Sequence, residues 1–135
     1  MANGVYSTAK ASFLGATPSI NLSSDTIKAA LVTAGYTANL ATDQYYSSVS
    51  ASTVGTPQQI TSPSVTSGVF NGSGVTFTAV SGSQVTQVVI YKDTGTGSTS
   101  PLIAKIDTAT GLPVTPNGGN ITITWDTGAN KIFAL

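Results

Sequence analysis

Hydrophobic and polar residues alternate over short stretches of the chain, which is the period-two pattern of half-buried β-strands. The alternation is cleanest at 75–80, Val-Thr-Phe-Thr-Ala-Val, and around Ile121, Ile123 and Trp125, which fall on one face of a predicted strand. Residues 85–92 form a more continuous apolar run, Val-Thr-Gln-Val-Val-Ile-Tyr-Lys. That run predicts a central strand, buried on both faces for part of its length. Trp125 is therefore predicted to be a core residue.

Turn-forming Gly, Asn, Asp and Pro residues punctuate these runs. The pattern predicts strands over 25–33, 56–61, 75–80, 85–92, 102–107, 120–126 and 131–135. Short strands with turn signals roughly every 8 to 12 residues are typical of a β-sandwich or small barrel. The helices that would alternate with strands in a parallel α/β sheet are missing from the pattern. The predicted fold is therefore mainly β, a single-domain antiparallel β-sandwich or small barrel.

One short helix is predicted near the N-terminus, over 6–14. Tyr6, Ala9 and Phe13 share one of its faces, and a glycine and a proline follow within a few residues. Residues 1–24 are accordingly interpreted as an N-terminal arm with a short helix. A chain of 135 residues has room for one ordinary domain, so 1–135 is interpreted as a single β-rich domain.

Residues 35–56 form the least regular stretch of the chain. Long segments without regular structure are uncommon in compact domains and are often functional. Aromatic residues such as tyrosine are also enriched in protein interfaces. The alternative is that these side chains fold back and cover the sheet, and the sequence leaves both interpretations open. The candidate interface residues in this segment are Tyr36, Leu40, Tyr45, Tyr46 and Val49.

Charge is scarce and balanced. The chain has five lysines and five aspartates and lacks Arg, Glu, His and Cys. Nucleic acids and anionic membranes attract clusters of Lys and Arg, so neither is expected as a partner. No apolar run is long enough to span a bilayer, and the first residues lack signal-peptide features. We therefore expect synthesis in a cytoplasm, and a near-neutral surface that opposes self-association only weakly.

The residue types required by most catalytic sites are missing. Without histidine there is no catalytic triad and no usual general base, and without His and Cys there is no ordinary zinc site. The aspartates Asp93, Asp107 and Asp126 lie at predicted strand ends, where aspartate commonly stabilises turns. The glycine-rich stretches lead into strands or loops and not into the helix that a phosphate loop needs. No enzyme activity, catalytic residue, cofactor or metal site is expected.

Several separated blocks resemble a group of small structural proteins encoded by tailed bacteriophages and prophages. The blocks begin at Asp25 (DTIKAALV), Tyr36 (YTANLAT), Gly74 (GVTFTAVSG), Val89 (VIYKDTG) and Ile106 (IDTATGLPVTPNGGNITITWD). The resemblance runs through most of the chain and consists of strand-and-turn phrases. It implies a virion protein, made in the host bacterial cytoplasm and placed on the capsid surface. The function implied is that of a capsid decoration (cement) protein. Its expected partners are the major capsid protein and further copies of itself, as a homodimer or homotrimer.

Two other functions stay open at this point. A tail, baseplate or fibre-associated protein would have the same class of fold and differ in its number of copies per particle. A carbohydrate-binding module is a remote alternative, because it would need exposed aromatic side chains along one face. Tyr45 and Tyr46 are the only adjacent aromatic pair that the sequence offers for that purpose.

Overall fold

The structure, a computed structural model, describes residues 3–109, 111–125, 128 and 131–134. The strands are β1 (Gly4–Val5), β2 (Ile27–Thr33), β3 (Thr53–Gln59), β4 (Ser64–Thr66), β5 (Val69–Asn71), β6 (Val75–Phe77), β7 (Val85–Lys92), β8 (Leu102–Ile106), β9 (Ile121–Ile123) and β10 (Phe133–Ala134). One α-helix, α1 (Ser7–Phe13), follows β1, and short 3₁₀ helices occupy Tyr46–Ser48, Ser50–Ser52 and Gly97–Thr99. The predicted mainly β fold with antiparallel sheets and a short N-terminal helix is confirmed.

The largest sheet has five antiparallel strands in the order β1-β8-β7-β2-β3. Its register places Ala29 beside Ile90, and Ile90 beside Ala104, so these three residues share one face. Val89 and its neighbour Lys105 lie on the opposite face, since successive residues of a strand alternate. All five side chains are buried. The sheet is therefore covered on both faces, as predicted for the run at 85–92.

Two smaller sheets complete the β structure. One has the order β10-β5-β4 and the other pairs β6 with β9, and both are antiparallel. β6 lies against β3 of the main sheet. Phe70, Phe77 and Ile123 are almost fully buried and join the same apolar cluster as the main sheet. The small sheets therefore share one core with the large one.

Several strands differ in length from those predicted. β6 ends at Phe77 because Ala79 has a φ of 52°, a left-handed conformation that interrupts extended structure. Val80 is nevertheless buried, and its N–H donates to the Gly119 carbonyl over 2.9 Å. β1, β4 and β5 were not predicted. The strand predicted at 131–135 is represented by β10, and Leu135 lies outside the described residues.

Trp125 is a core residue, as predicted. It is 6% exposed, and its indole Nε1–H donates to the Ser73 carbonyl over 2.9 Å. The ring thus joins β9 to the loop before β6 and keeps its only polar atom satisfied. Asp126, which follows it, lies outside the described residues.

The N-terminal arm is attached to strand β8 of the main sheet. β1 pairs with β8, and the Tyr6 N–H continues the ladder to the Ile103 carbonyl over 3.0 Å. The Asn3 side chain donates to Thr108 and accepts from the Asp107 N–H, each over 2.7 Å. These contacts place α1 beside β8 and position Tyr6 for the contacts described below.

Candidate assembly surface

The segment between β2 and β3 is irregular but held by backbone hydrogen bonds. The Leu102 N–H donates to the Gln44 carbonyl over 2.8 Å, and the Tyr46 N–H donates to the Ser100 carbonyl over 2.9 Å. The segment ends in two 3₁₀ turns and, at residue 53, becomes β3. The irregular part is therefore 34–52, which corrects the predicted range of 35–56 at its C-terminal side.

The side chain of Tyr36 is buried in the protein and does not lie on its surface. It is 7% exposed, its hydroxyl donates to Oδ2 of Asp43 over 2.7 Å, and it lies 2.8 Å from the hydroxyl of Tyr6. The Gln87 side chain donates to the Tyr36 carbonyl over 3.0 Å. Burial raises the pKa of Tyr6 to about 12, and burial together with these hydrogen bonds raises the pKa of Tyr36. Both phenols stay neutral at ordinary pH and bind α1 to the irregular segment.

Tyr46 and Val49 also point inward. The ring of Tyr46 stacks on that of Tyr91 with centroids 4.2 Å apart and planes 18° from parallel. Its hydroxyl donates to Thr53 over 2.9 Å, and burial raises its pKa. Val49 has no exposed area. Both residues therefore pack against the chain itself.

Leu40 lies between the surface and the N-terminal arm. It is partly exposed, and its carbonyl accepts from the N–H of Ser7, the first residue of α1, over 2.8 Å. A Cβ added at Gly4 would overlap the Leu40 side chain. Part of Leu40 is thus occupied in holding β1 in place.

The five candidate interface residues consequently divide into two groups. Tyr36 and Val49 are buried, and Tyr46 is stacked on Tyr91, so packing over the sheet accounts for them. The burial of Tyr36 and Val49 corrects their place among the candidate contacts. Leu40, Tyr45 and Tyr46 are all partly exposed, but the Tyr46 ring is engaged with Tyr91, so Leu40 and Tyr45 remain as candidate contacts.

Charged side chains at one end of the main sheet are paired with each other. Lys28 lies 2.7 Å from Asp93, and Lys92 lies 3.1 Å from Asp25. The hydrogen bond from Lys28, assisted by one from the Gly95 N–H, holds the pKa of Asp93 below its usual range. Asp93 thus stabilises a turn, as predicted for a structural aspartate.

A third pair lies at the end of β8. Lys105 is 4% exposed and its amino group is 3.7 Å from Asp107. Elsewhere, the Asp43 carboxylate accepts from Tyr36 and from the Asn39 N–H over 2.9 Å. Most of the chain's few charges are therefore engaged within the chain.

A long part of the sequence also carries no charged residue. No Lys, Arg, Asp or Glu occurs from residue 44 to residue 91, which spans β3 to β6 and nearly all of β7. The exposed positions of β3 and β4 are glycine, serine, threonine, glutamine and one valine, Val65. This uncharged surface could have been predicted from the long gap between Asp43 and Lys92, the charged residues on either side of it. The total number of charged residues does not show that gap.

No match was found in comparisons of the chain with protein-family models and with curated proteins.

Neither a membrane-spanning helix nor a metal site emerges from the residues described. Within 3–109, 111–125, 128 and 131–134, no helix combines the length and apolar character needed to cross a bilayer. In the same part of the chain, no three metal-ligating side chains are grouped.

One cleft of about 990 Å³ opens between β1, β8 and β10. Among its lining residues are Lys10, Lys105, Trp125 and Phe133. Lys105 is already paired with Asp107, and the indole N–H of Trp125 is bonded to the backbone. The described lining therefore offers no pair of groups suited to general acid–base chemistry.

Proposed function

We propose that this chain is a structural protein of a tailed-bacteriophage virion, and that it decorates the capsid by binding the assembled major capsid protein. The proposal combines the resemblance of its sequence blocks with the character of its surface. The resembling blocks fall on structural elements, such as β6 after Gly74 and the turn of Asp93 after β7. As far as the structure describes them, these blocks belong to the folding framework and bring no set of reactive groups together.

The observation that carries the proposal is the uncharged exterior of β3 and β4 next to a set of charges that are mostly paired internally. Such a surface is suited to close contact with many identical sites, because docking does not strip water from unpaired ions. It has no basic patch for nucleic acid. The chain then acts through binding alone, without catalysis, cofactor or metal.

Stabilisation by such a protein follows from mass action. A protein that binds the assembled shell and not the separate subunits shifts the equilibrium toward the shell. Display on a symmetric capsid also favours contacts between copies, as a homodimer or homotrimer. Leu40 and Tyr45 are the remaining contacts offered by the irregular segment. The protein would be made in the host cytoplasm and end on the capsid surface.

Carbohydrate binding is less favoured by the geometry. The ring of Tyr46 faces Tyr91 and its hydroxyl is bonded to Thr53. The adjacent pair of Tyr45 and Tyr46 is therefore not a flat exposed platform of the kind on which sugar rings stack.

Cryo-electron microscopy of the phage particle tests the proposed location. Density for this fold repeated over the capsid surface is the expected result, and it would identify the docking surface. Density confined to the tail or baseplate would replace the decoration function by the tail alternative. Absence of the chain from the particle would overturn the proposal of a virion protein.

Capsid binding can also be measured with purified components. When added to capsids that lack the protein, the Tyr45→Ser variant is expected to occupy fewer sites than the unaltered protein. The Tyr45→Phe variant keeps the ring and should bind nearly as well as the unaltered protein. Binding by Tyr45→Ser that equals that of the unaltered protein would remove Tyr45 from the contact surface.

A further inference from the structure

β4 is an exposed outer strand. It borders only β5 within its sheet, and all three of its residues, Ser64, Val65 and Thr66, are exposed. Val65 is 47% exposed and, with Leu14, is one of two strongly exposed large hydrophobic side chains among the described residues. An outer strand presents unpaired backbone groups to any other strand that approaches it.

The hairpin fixes which backbone groups face outward. β4 and β5 are joined by Ser67 and Gly68, whose φ values of 52° and 78° are those of a type I′ turn. In such a hairpin the residues that flank the turn form a hydrogen-bonded pair, and the next pair does not. The next pair is Val65 with Phe70. The N–H and C=O of Val65 therefore point away from β5, toward the free edge.

The side of the sheet that carries Val65 is apolar. Val65, Phe70 and Phe133 are direct neighbours across β4, β5 and β10. Phe133 lies 5.4 Å from Phe70 and stacks on Phe13 of α1 at 6.4 Å, measured between ring centroids. Val65 stands at the β4 edge of the sheet, and Phe133 stands at the β10 edge, where it stacks on Phe13. A strand added to β4 would extend the row and cover Val65.

The two outer strands of the main sheet, β3 and β1, are poor sites for strand addition. β3 contains Pro57, and its register with β2 shifts between Ala29 and Leu31, as in a bulge. Proline and bulges are the devices by which natural edges avoid pairing. β1 is only two residues long, and very short edge strands resist pairing. β4 has neither a charge nor a proline within it, although Pro63 precedes it.

We propose that β4 pairs antiparallel with β4 of a second copy, so that Val65 faces Val65 of the partner across a two-fold axis. This names a surface for the self-association in the proposed function and can be tested without the phage. The edge is self-complementary: the outward N–H and C=O of each Val65 would exchange hydrogen bonds, and Ser64 would face Thr66. No like charges meet, because the surrounding residues 44–91 carry none. A charged partner would find no complementary group there.

The short edge limits the strength of this contact. A three-residue strand buries much less than the roughly 800 Å² per partner of a stable interface. The expected dimer is therefore weak and concentration-dependent, and it should become detectable in solution at high protein concentration.

Sedimentation velocity and ¹H–¹⁵N NMR of the purified chain across about two orders of magnitude in concentration test this pairing. The sedimentation coefficient should rise with concentration, and the shifting amides should centre on Val65. Val65→Lys should abolish both effects and leave the melting temperature almost unchanged, because the side chain is half exposed. Val65→Thr is the matched control, since it keeps a neutral β-branched side chain and should still associate.

Three results would overturn the pairing: a chain that stays monomeric throughout, a Val65→Lys variant that associates like the parent, or shifting amides that centre on Leu14. If Val65→Lys does not fold, Thr66→Lys places the charge on the opposite face of the same edge and should also abolish association. A monomeric chain would leave the capsid-binding proposal standing, because that is tested on the particle.

Discussion

The hydroxyl of Tyr36 donates a 2.7 Å hydrogen bond to the carboxylate of Asp43, and this contact closes the irregular segment upon itself. The same hydroxyl lies 2.8 Å from that of Tyr6, the residue before α1. Two parts of the chain that are distant in sequence thus meet at two phenols and one carboxylate. The segment is held by specific bonds, although it contains little regular structure.

Tyr36→Phe should lower the free energy of unfolding by about 2 kcal/mol, because a hydrogen bond to a charged carboxylate is lost and Tyr6 loses a partner. Chemical denaturation at neutral pH measures the loss. Tyr45→Phe is the control, since Tyr45 is partly exposed and lies outside this network. Its effect should stay within about 0.5 kcal/mol. Equal effects of the two substitutions would show that the Tyr36 hydroxyl contributes little.

Stability should fall in strongly alkaline solution. The pKa of Tyr6 is about 12 in the folded chain, because of burial, against about 10 when unfolded. A raised folded pKa means that this contribution is complete below about pH 10 and is lost as the pH rises toward about 12. Denaturation midpoints measured from pH 8 to pH 12 should show this decline. Tyr6→Phe should make the decline shallower, while the raised pKa values of Tyr36 and Tyr46 maintain the rest of it. An unchanged slope in that variant would assign the decline to those other groups.

The strand pattern predicted much of the main sheet because burial there is regular. The run at 85–92 coincides with β7, and the pattern from Ile27 onward coincides with β2. In these central strands, side chains on both faces are excluded from water, so a continuous run of hydrophobic residues predicts the strand directly. The role of Trp125 was predictable for the same reason.

The sequence was less informative about edges and about the irregular segment. β4 has exposed residues throughout, so no alternation identifies it, and only its pairing with β5 defines it. The direction of Tyr36 depends on Asp43 and on Tyr6, which lies thirty residues away. Period and composition do not encode such long-range contacts, so the candidate interface contained both buried and exposed residues.

Asp93 should make the protein more sensitive to acid. Its pKa is lowered chiefly by the hydrogen bond from Lys28, so its contribution is present above about pH 4 and is lost as the pH falls through the folded pKa. Asp93→Asn should flatten the acid limb of the stability profile. At neutral pH it should cost less than about 1 kcal/mol, since the pair is partly exposed. An acid limb identical to that of the parent would contradict this assignment.

Tyr46 and its neighbour Tyr45 should differ sharply in their effects on folding. Tyr46→Ala removes the stack on Tyr91 and the bond to Thr53, and should cost about 2–3 kcal/mol. Tyr45→Ala should cost less than about 1 kcal/mol. Thermal and chemical denaturation of both variants provide the measurement. A larger loss for Tyr45 would reverse their assignment to surface and interior.

Trp125→Ala should be the most destabilising of these changes, at about 3–5 kcal/mol, because it leaves a cavity in the core and removes a buried aromatic ring. It also leaves the Ser73 carbonyl without its indole donor. Trp125→Phe keeps most of the ring volume and loses that hydrogen bond, so its cost should be smaller, about 1–2 kcal/mol. Because Trp125 is the only tryptophan, unfolding of both variants should be followed by circular dichroism and not by indole fluorescence. If both variants were destabilised equally, the hydrogen bond to Ser73, and not the filling of the core, would be the main contribution of this residue. If neither variant were destabilised, the core assignment of Trp125 would be wrong.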